Sequence, residues 1–328
     1  MRATMTRRGS LGLMLSLALG GPAFAQGQPQ TQTNLVFATG GTGGIFYPLG
    51  GGMAGVVTRA GVGLSATVEV TGGSVDNMKL IASSPAYLGM SVADTAYEAY
   101  KGVEKFKAAA LPLRTLLVMY PGRSQIVTLD GLGISKVVDL KGKRVSTGAP
   151  GSATELWALR ILDAAGLDKD KDVKRERLSV GESANALRDR KIDAFFWGGG
   201  VPTAAVVDLS LTPGIKVRLV DHLDVREAMN AKYGPLYAKD LIPKESYSGM
   251  PADASGIAVW SNIYVNASMP DDQAYAVVKS LFDRHADLVA VHQEARSIKL
   301  ENQVLANTGV PFHPGVVRYL KEKGINPD

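Results

Sequence analysis

Cysteine is absent from all 328 residues. That one absence excludes disulfides, thiolate metal ligands and a cysteine nucleophile, so packing has to hold the fold together. Histidine is scarce as well. His222, His285, His292 and His313 are the only four, and none stands in the paired spacing of a zinc-binding helix. A G-x-S-x-G elbow is missing; Gly148-x-x-Gly151-Ser152 sets its serine differently and has no evident histidine partner. Metal and nucleophilic catalysis therefore both lack parts, and no metal, cofactor or enzymatic activity is expected. A strong charge of one sign is missing too, with 36 basic against 31 acidic residues. The densest basic run, Lys169 to Arg177, is interleaved with Asp170, Asp172 and Glu176 and reads as a solvated turn, so no nucleic-acid partner is expected.

Long hydrophobic runs are likewise few. The stretch from Leu11 to Leu19 is about half of the ~20 residues that cross a bilayer. It lies between Arg2, Arg7 and Arg8 on one side and Gly20-Gly21-Pro22 on the other, followed by Ala23-Phe24-Ala25. This is the order of a secretory signal peptide, residues 1–25, with cleavage expected after Ala25 and a periplasmic destination. Arg7-Arg8 leaves both the general and the twin-arginine export routes open. Three of the 36 basic residues and none of the acidic ones fall in the leader, so the mature chain carries a net charge of only +2.

What remains alternates between strand-length apolar runs and helical stretches. Leu35 to Ala38, Ala66 to Val70, Tyr87 to Met90 and Leu113 to Tyr120 form a first series. Ser124 to Leu129, Arg144 to Thr147, Val173 to Leu178, Ala194 to Trp197 and Val217 to Val220 form a second. This is an α/β pattern at a length where one core commonly gives way to two. The expected division is lobe I from 31–121 plus 255–328 and lobe II from 122–254. Asp224 to Pro251 looks like a connection between them, with the crossings near Tyr120 to Ser124 and Ser248 to Gly256. The tail from Asp271 to Gln303 has helical period, with Val277, Leu281, Leu288, Val291 and Ile298 on its buried face.

Four strand-to-helix junctions are rich in small polar residues: Thr42-Gly43-Gly44, Gly72 to Asn77, Ser91 to Asp94 and Gly151 to Glu155. Thr42 can cap the helix after the first. Open helix amides at such junctions suit a small anion, and Tyr47 offers a ring beside it. Gly50-x-Gly52-x-x-Gly55 matches the dinucleotide fingerprint in letters, but it follows Pro48 inside the expected helix, where glycines serve close packing. Trp197 and Gly198 end an apolar strand and can wall a cleft. Arg123, at a crossing, is read as a surface residue whose replacement by alanine would be nearly silent.

Taken together, the export signal, Gly41 to Pro48, Thr71 to Asn77, Ser91 to Asp94, Gly148 to Thr154, Gly200-x-Pro202 and Phe312-His313-Pro314-Gly315 resemble the TAXI family. These are solute receptors of tripartite ATP-independent periplasmic (TRAP) transporters. The resemblance implies a two-lobe periplasmic-binding-protein fold of type II, with the ligand cleft between lobes. It also implies a small carboxylate ligand, a dicarboxylate or an acidic amino acid such as glutamate or 2-oxoglutarate, delivered to TRAP membrane subunits by a monomeric receptor. It carries a ligand role onto Thr42, Gly43, Gly44, Tyr47, Ser74, Asn77, Ser91, Ser152, Ala153 and Thr154, beside Trp197 and Gly198 from the strand end. Trp197 is bulkier than the family pattern. The alternatives are an ABC-transporter type II receptor and a secreted α/β hydrolase using Ser152.

Overall fold

Residues 32–107 and 109–328 are described by a computed structural model. The signal sequence expected over 1–25 lies outside the described residues. In chain order come β1 (Thr33–Ala38), α1 (Phe46–Arg59), β2 (Leu64–Glu69), α2 (Ser74–Ser83), β3 (Tyr87–Val92) and α3 (Ala93–Lys101). The long β4 (Leu113–Leu129) leads to β5 (Arg144–Ser146), α4 (Ala153–Ala164), β6 (Lys174–Glu176), α5 (Val180–Arg188), β7 (Ala194–Gly199) and α6 (Ala204–Ser210). Then follow β8 (Val217–Leu219), α7 (Arg226–Tyr233), β9 (Ala238–Ile242), β10 (Ala254–Asn266), α8 (Asp271–Asp283), α9 (His285–Val291) and α10 (Pro314–Glu322).

All ten strands join one mixed sheet, ordered β2-β1-β3-β10-β4-β7-β5-β6, with β8 on β4 and β9 on β10. Its two wings, β2-β1-β3 and β6-β5-β7, are each parallel. Crossover helices connect parallel strands, which explains the βα alternation. Between the wings run β4 and β10, antiparallel to each other and to the wing strands they touch.

The two expected strands Leu113 to Tyr120 and Ser124 to Leu129 are one. The chain passes straight through Pro121-Gly122-Arg123, where β10 continues to pair with it. Pro121 cannot donate to a ladder, and Gly122 has no room for a side chain, since a Cβ there would lie 2.9 Å from Ser261 Oγ. The presumed connection between Asp224 and Pro251 carries α7 and β9 rather than loose chain. In the tail, Val277, Leu281, Leu288 and Ile298 are buried as expected, whereas Val291 is 41% exposed. The helical period breaks at Arg284 and again at His292, so the face read from the spacing does not carry through both breaks. The glycines of the apparent dinucleotide fingerprint sit within α1. A Cβ on Gly50 would meet Thr39 Cγ2 at 2.6 Å, and one on Gly52 would meet Val291 at 2.8 Å, so both mark close helix packing.

Candidate functional site

A cavity lies where the carboxyl ends of both wings meet. Four helices begin at its wall: α1 at Ile45 and Phe46, α2 at Gly73 and Ser74, α4 at Ser152 and Ala153, and α5 at Ser179 and Val180. Two of these precede β4 and two follow it. Each helix start leaves its first amides without a carbonyl one turn back and carries the positive end of the helix dipole. The rest of the wall is Gly40 and Gly41, Thr71 and Gly72, Val92, Tyr120, Gly148 and Ala149, Thr154, and Trp197 to Gly199. No lining residue is charged.

Of the residues expected at the site, Gly44, Ser74, Ser152, Ala153, Thr154, Trp197 and Gly198 line this cavity. Thr42, Gly43, Tyr47, Asn77 and Ser91 do not. Thr42 is exposed, and it does not cap α1, which starts at Phe46 with Ile45 in the capping position. Gly43 turns toward α5 and α6, where a Cβ would sit 3.3 Å from Val180 and 3.4 Å from Ala205. Phe46 takes the place given to Tyr47, and its ring lies edge-on to Tyr120 at 6.5 Å. Asn77 is fully buried and spent internally: its amide donates to the carbonyls of Thr39 and Met90, at 2.6 and 2.7 Å, and its oxygen accepts from Thr71 Oγ1 at 2.7 Å. Ser91 is buried and donates to the neighbouring Val92 carbonyl.

The fourth helix start at the cavity is that of α5. Of the junction Ser91 to Asp94, which opens α3, only Val92 reaches the wall. The signal for α5 was in the sequence as Ser179-x-x-Glu182, a capping box: Ser179 Oγ accepts from the Glu182 amide while the Glu182 carboxylate accepts from the Ser179 amide. The amides of α2 are partly used, since Val75 and Asp76 both donate to the Gly151 carbonyl from the opposite side of the cavity.

Asp94 serves a different purpose behind the wall. On α4, Ala153 and Thr154 face the cavity, Trp157 packs under Gly198, and Arg160 lies one turn further along the same stripe. Trp157 Nε1 donates to Asp94 Oδ2 at 2.8 Å, and Tyr237 OH donates to the same oxygen at 2.9 Å. Arg160 bridges Asp94, Glu98 and Tyr237, with its guanidinium over the Tyr233 ring at 4.4 Å. All three charges are almost fully buried.

Burial pushes the Glu98 carboxyl up to about 7 from 4.5; Arg160 opposes that shift, while Asp94 and then Glu104 add to it. The folded state thus holds this proton more tightly than the unfolded chain. Its contribution is complete below about 4.5 and is lost as pH rises through about 7. At about 1.36 kcal/mol per pKa unit, the stability difference between wild type and Glu98→Gln should shift by roughly 3 kcal/mol across that window. Urea unfolding of both proteins at several pH values measures it, and a difference independent of pH contradicts the reading.

Arg123 is not a free surface residue. Its Nε meets Asp240 at 2.8 Å on β9, and its other arm meets Glu294 Oε1 at 2.5 Å, which also accepts from the Val201 amide at 2.9 Å. Glu294 is buried, so removing Arg123 leaves its charge without a cation and with only the Val201 amide as donor. Arg123 does not line the cavity, so the near-silent effect on ligand binding remains the expectation, but its ion pairs add a stability loss of about 2 kcal/mol in Arg123→Ala, allowing for the partial exposure of Arg123 and Asp240. Chemical unfolding of the ligand-free protein checks this, and an unchanged midpoint contradicts it.

Over 91% of its length the chain superimposes on 91% of a protein from Bordetella bronchiseptica RB50, at 15% identity and a TM-score of 0.52. Over 88% it superimposes on 92% of a structure described as a periplasmic transporter, at 12% identity and a TM-score of 0.50. It also aligns over 90% of its length with 84% of the periplasmic aliphatic sulphonate binding protein SsuA from Escherichia coli, at 16% identity and a TM-score of 0.46. At such identities the likeness is one of α/β fold alone. The sequence itself matches the family model described as NMT1-like over residues 37–324. With nearly the whole chain matched, this protein belongs to the NMT1-like family.

Proposed function

We propose that the chain is an exported solute receptor that holds a small organic anion in this cavity and passes it to a membrane transporter. The observation that carries the reading is the convergence of four helix amino termini, two from before β4 and two from after it, on a cavity with no charged lining residue. Amides and dipoles there stabilise a buried anion without a counter-ion. The lobes would be 31–121 plus 255–328 and 122–254, hinged where β4 and β10 run between the wings. Ligand contacts from both lobes would favour the closed state.

The transporter proposed is of the TRAP type, on the resemblance of the motifs to the TAXI family; an ABC transporter is the alternative. Uptake in reconstituted vesicles, driven by an ion gradient or by ATP, separates the two. A hydrolase using Ser152 finds little support. Its hydroxyl donates to the Ala149 carbonyl at 2.6 Å and accepts from the Glu155 amide at 3.1 Å, and no histidine lines the cavity.

A thermal-shift screen of the mature chain against organic anions, sugars and neutral amino acids tests the reading. A ligand at 100 times its Kd should stabilise the protein by about 2.7 kcal/mol without turnover. Product formation, or stabilisation by sugars alone, overturns it.

A further inference from the structure

Resting on that receptor reading, we infer that the ligand is an organic monoanion with an apolar body and no ammonium group. The structure argues against a dicarboxylate or an amino acid. The argument starts from what the wall can donate and accept. A second carboxylate would be buried without a cation, because no arginine, lysine or histidine lines the cavity. The ammonium of an amino acid would be buried without an anion, because no aspartate or glutamate lines it either. Phe46, Tyr120 and Trp197 supply rings, and Ile45, Val92 and Val180 supply aliphatic surface for a ligand body.

The donors left for one acidic group are few. The Trp197 indole N–H is already given to Thr203 Oγ1 at 2.8 Å. The Ser152, Thr71 and Ser179 hydroxyls each donate within the protein. Ser74 Oγ and Thr154 Oγ1 each accept from a backbone amide, of Val92 and Gly198, which leaves their protons available.

Tyr120 points to a ligand independently of the helix termini. It lines the cavity, its side chain is fully buried, and its hydroxyl makes no hydrogen bond of good geometry, with only the likewise unpartnered Ser261 hydroxyl beside it. A buried hydroxyl left unsatisfied costs free energy, and a ligand oxygen would remove that cost. Burial first and the Glu294 charge second hold its pKa above the ordinary tyrosine value, against a smaller opposing effect of Ser261, so it meets the ligand as a neutral O–H donor. Three hydroxyls and the opening amides of α1 and α4 suffice for one carboxylate or sulfonate.

Calorimetry on the mature chain with phenylacetate, 4-methylpentanoate and benzenesulfonate, set against succinate, 2-oxoglutarate, glutamate and leucine, is the test. At least one apolar monoanion should bind tenfold or more tighter than every dianion and amino acid. Binding of a dianion or amino acid as tight as the best monoanion overturns the inference and leaves the receptor reading standing. Binding by none of the seven overturns the inference too, and a hit confined to sugars in the broader screen removes the anion receptor with it. In Tyr120→Phe the tightest-binding monoanion should lose at least fivefold in affinity, while the ligand-free melting temperature stays level or rises. A lowered ligand-free melting temperature with unchanged affinity assigns the hydroxyl to the fold and overturns its role.

Discussion

Arg160→Ala should destabilise the ligand-free protein by about 3 kcal/mol or more, because it leaves the buried Asp94 and Glu98 carboxyl groups without the guanidinium that pairs with both. Asp94 keeps the Trp157 indole and the Tyr237 hydroxyl as donors, whereas Glu98 loses the group that holds one of its oxygens while its other oxygen already lacks a partner. The orphaned Glu98 is then the larger part of the cost. Adding Glu98→Gln to Arg160→Ala should therefore recover 1 kcal/mol or more, a non-additivity of the kind found between residues in contact. Chemical denaturation of the two single variants and the double variant completes the cycle. Strict additivity would mean that the Arg160–Glu98 pair contributes nothing beyond its separate members. Because α3 precedes β4 and α4 follows it, the same cluster also fixes the helix whose start forms part of the cavity wall.

Gly44→Val should reduce ligand affinity by roughly 100-fold or more, about 2.7 kcal/mol, while the unliganded protein still folds. A Cβ at Gly44 would lie 2.9 Å from Trp197 Cη2, and Trp197 cannot swing aside without giving up its hydrogen bond to Thr203. Both the glycine and the indole line the cavity, so the added side chain acts on the wall rather than on the core. Gly51→Ala in the same helix is the control. Nothing lies within 4 Å of its Cβ position, so affinity should hold and stability should rise by about 0.5–1 kcal/mol. Full affinity in Gly44→Val, measured by calorimetry, removes the loop from the site.

The alternation of apolar runs with helical stretches, the glycines that forbid a side chain and the lack of cysteine were all legible in residue order. Together they determine an α/β chain held by packing, with polar junctions at strand ends. Propensity and periodicity are local properties, and local properties can be read along the chain. The lining residues were only partly legible. Phe46 and Tyr47 are neighbours in sequence, yet one residue turns a helix by about 100°, and only the packed position of α1 decides that Phe46 faces the cavity. Ser91 to Asp94 was expected at the site and Ser179 to Glu182 was not, although its Ser-x-x-Glu spacing is a helix-start signal. The sheet order sends Asp94 of the first against Arg160 and Trp157, leaving only Val92 at the cavity, and brings Ser179 and Val180 of the second to its wall, a choice made by strand pairing between segments far apart in the chain. Arg123 looked like any surface arginine because its partners lie 117 and 171 residues away, on β9 and beyond α9. Chain order determined which chemistry is available, and tertiary structure decided which of those groups meet, because pairings across such separations are settled by the packing of whole elements and leave no periodic trace in the sequence.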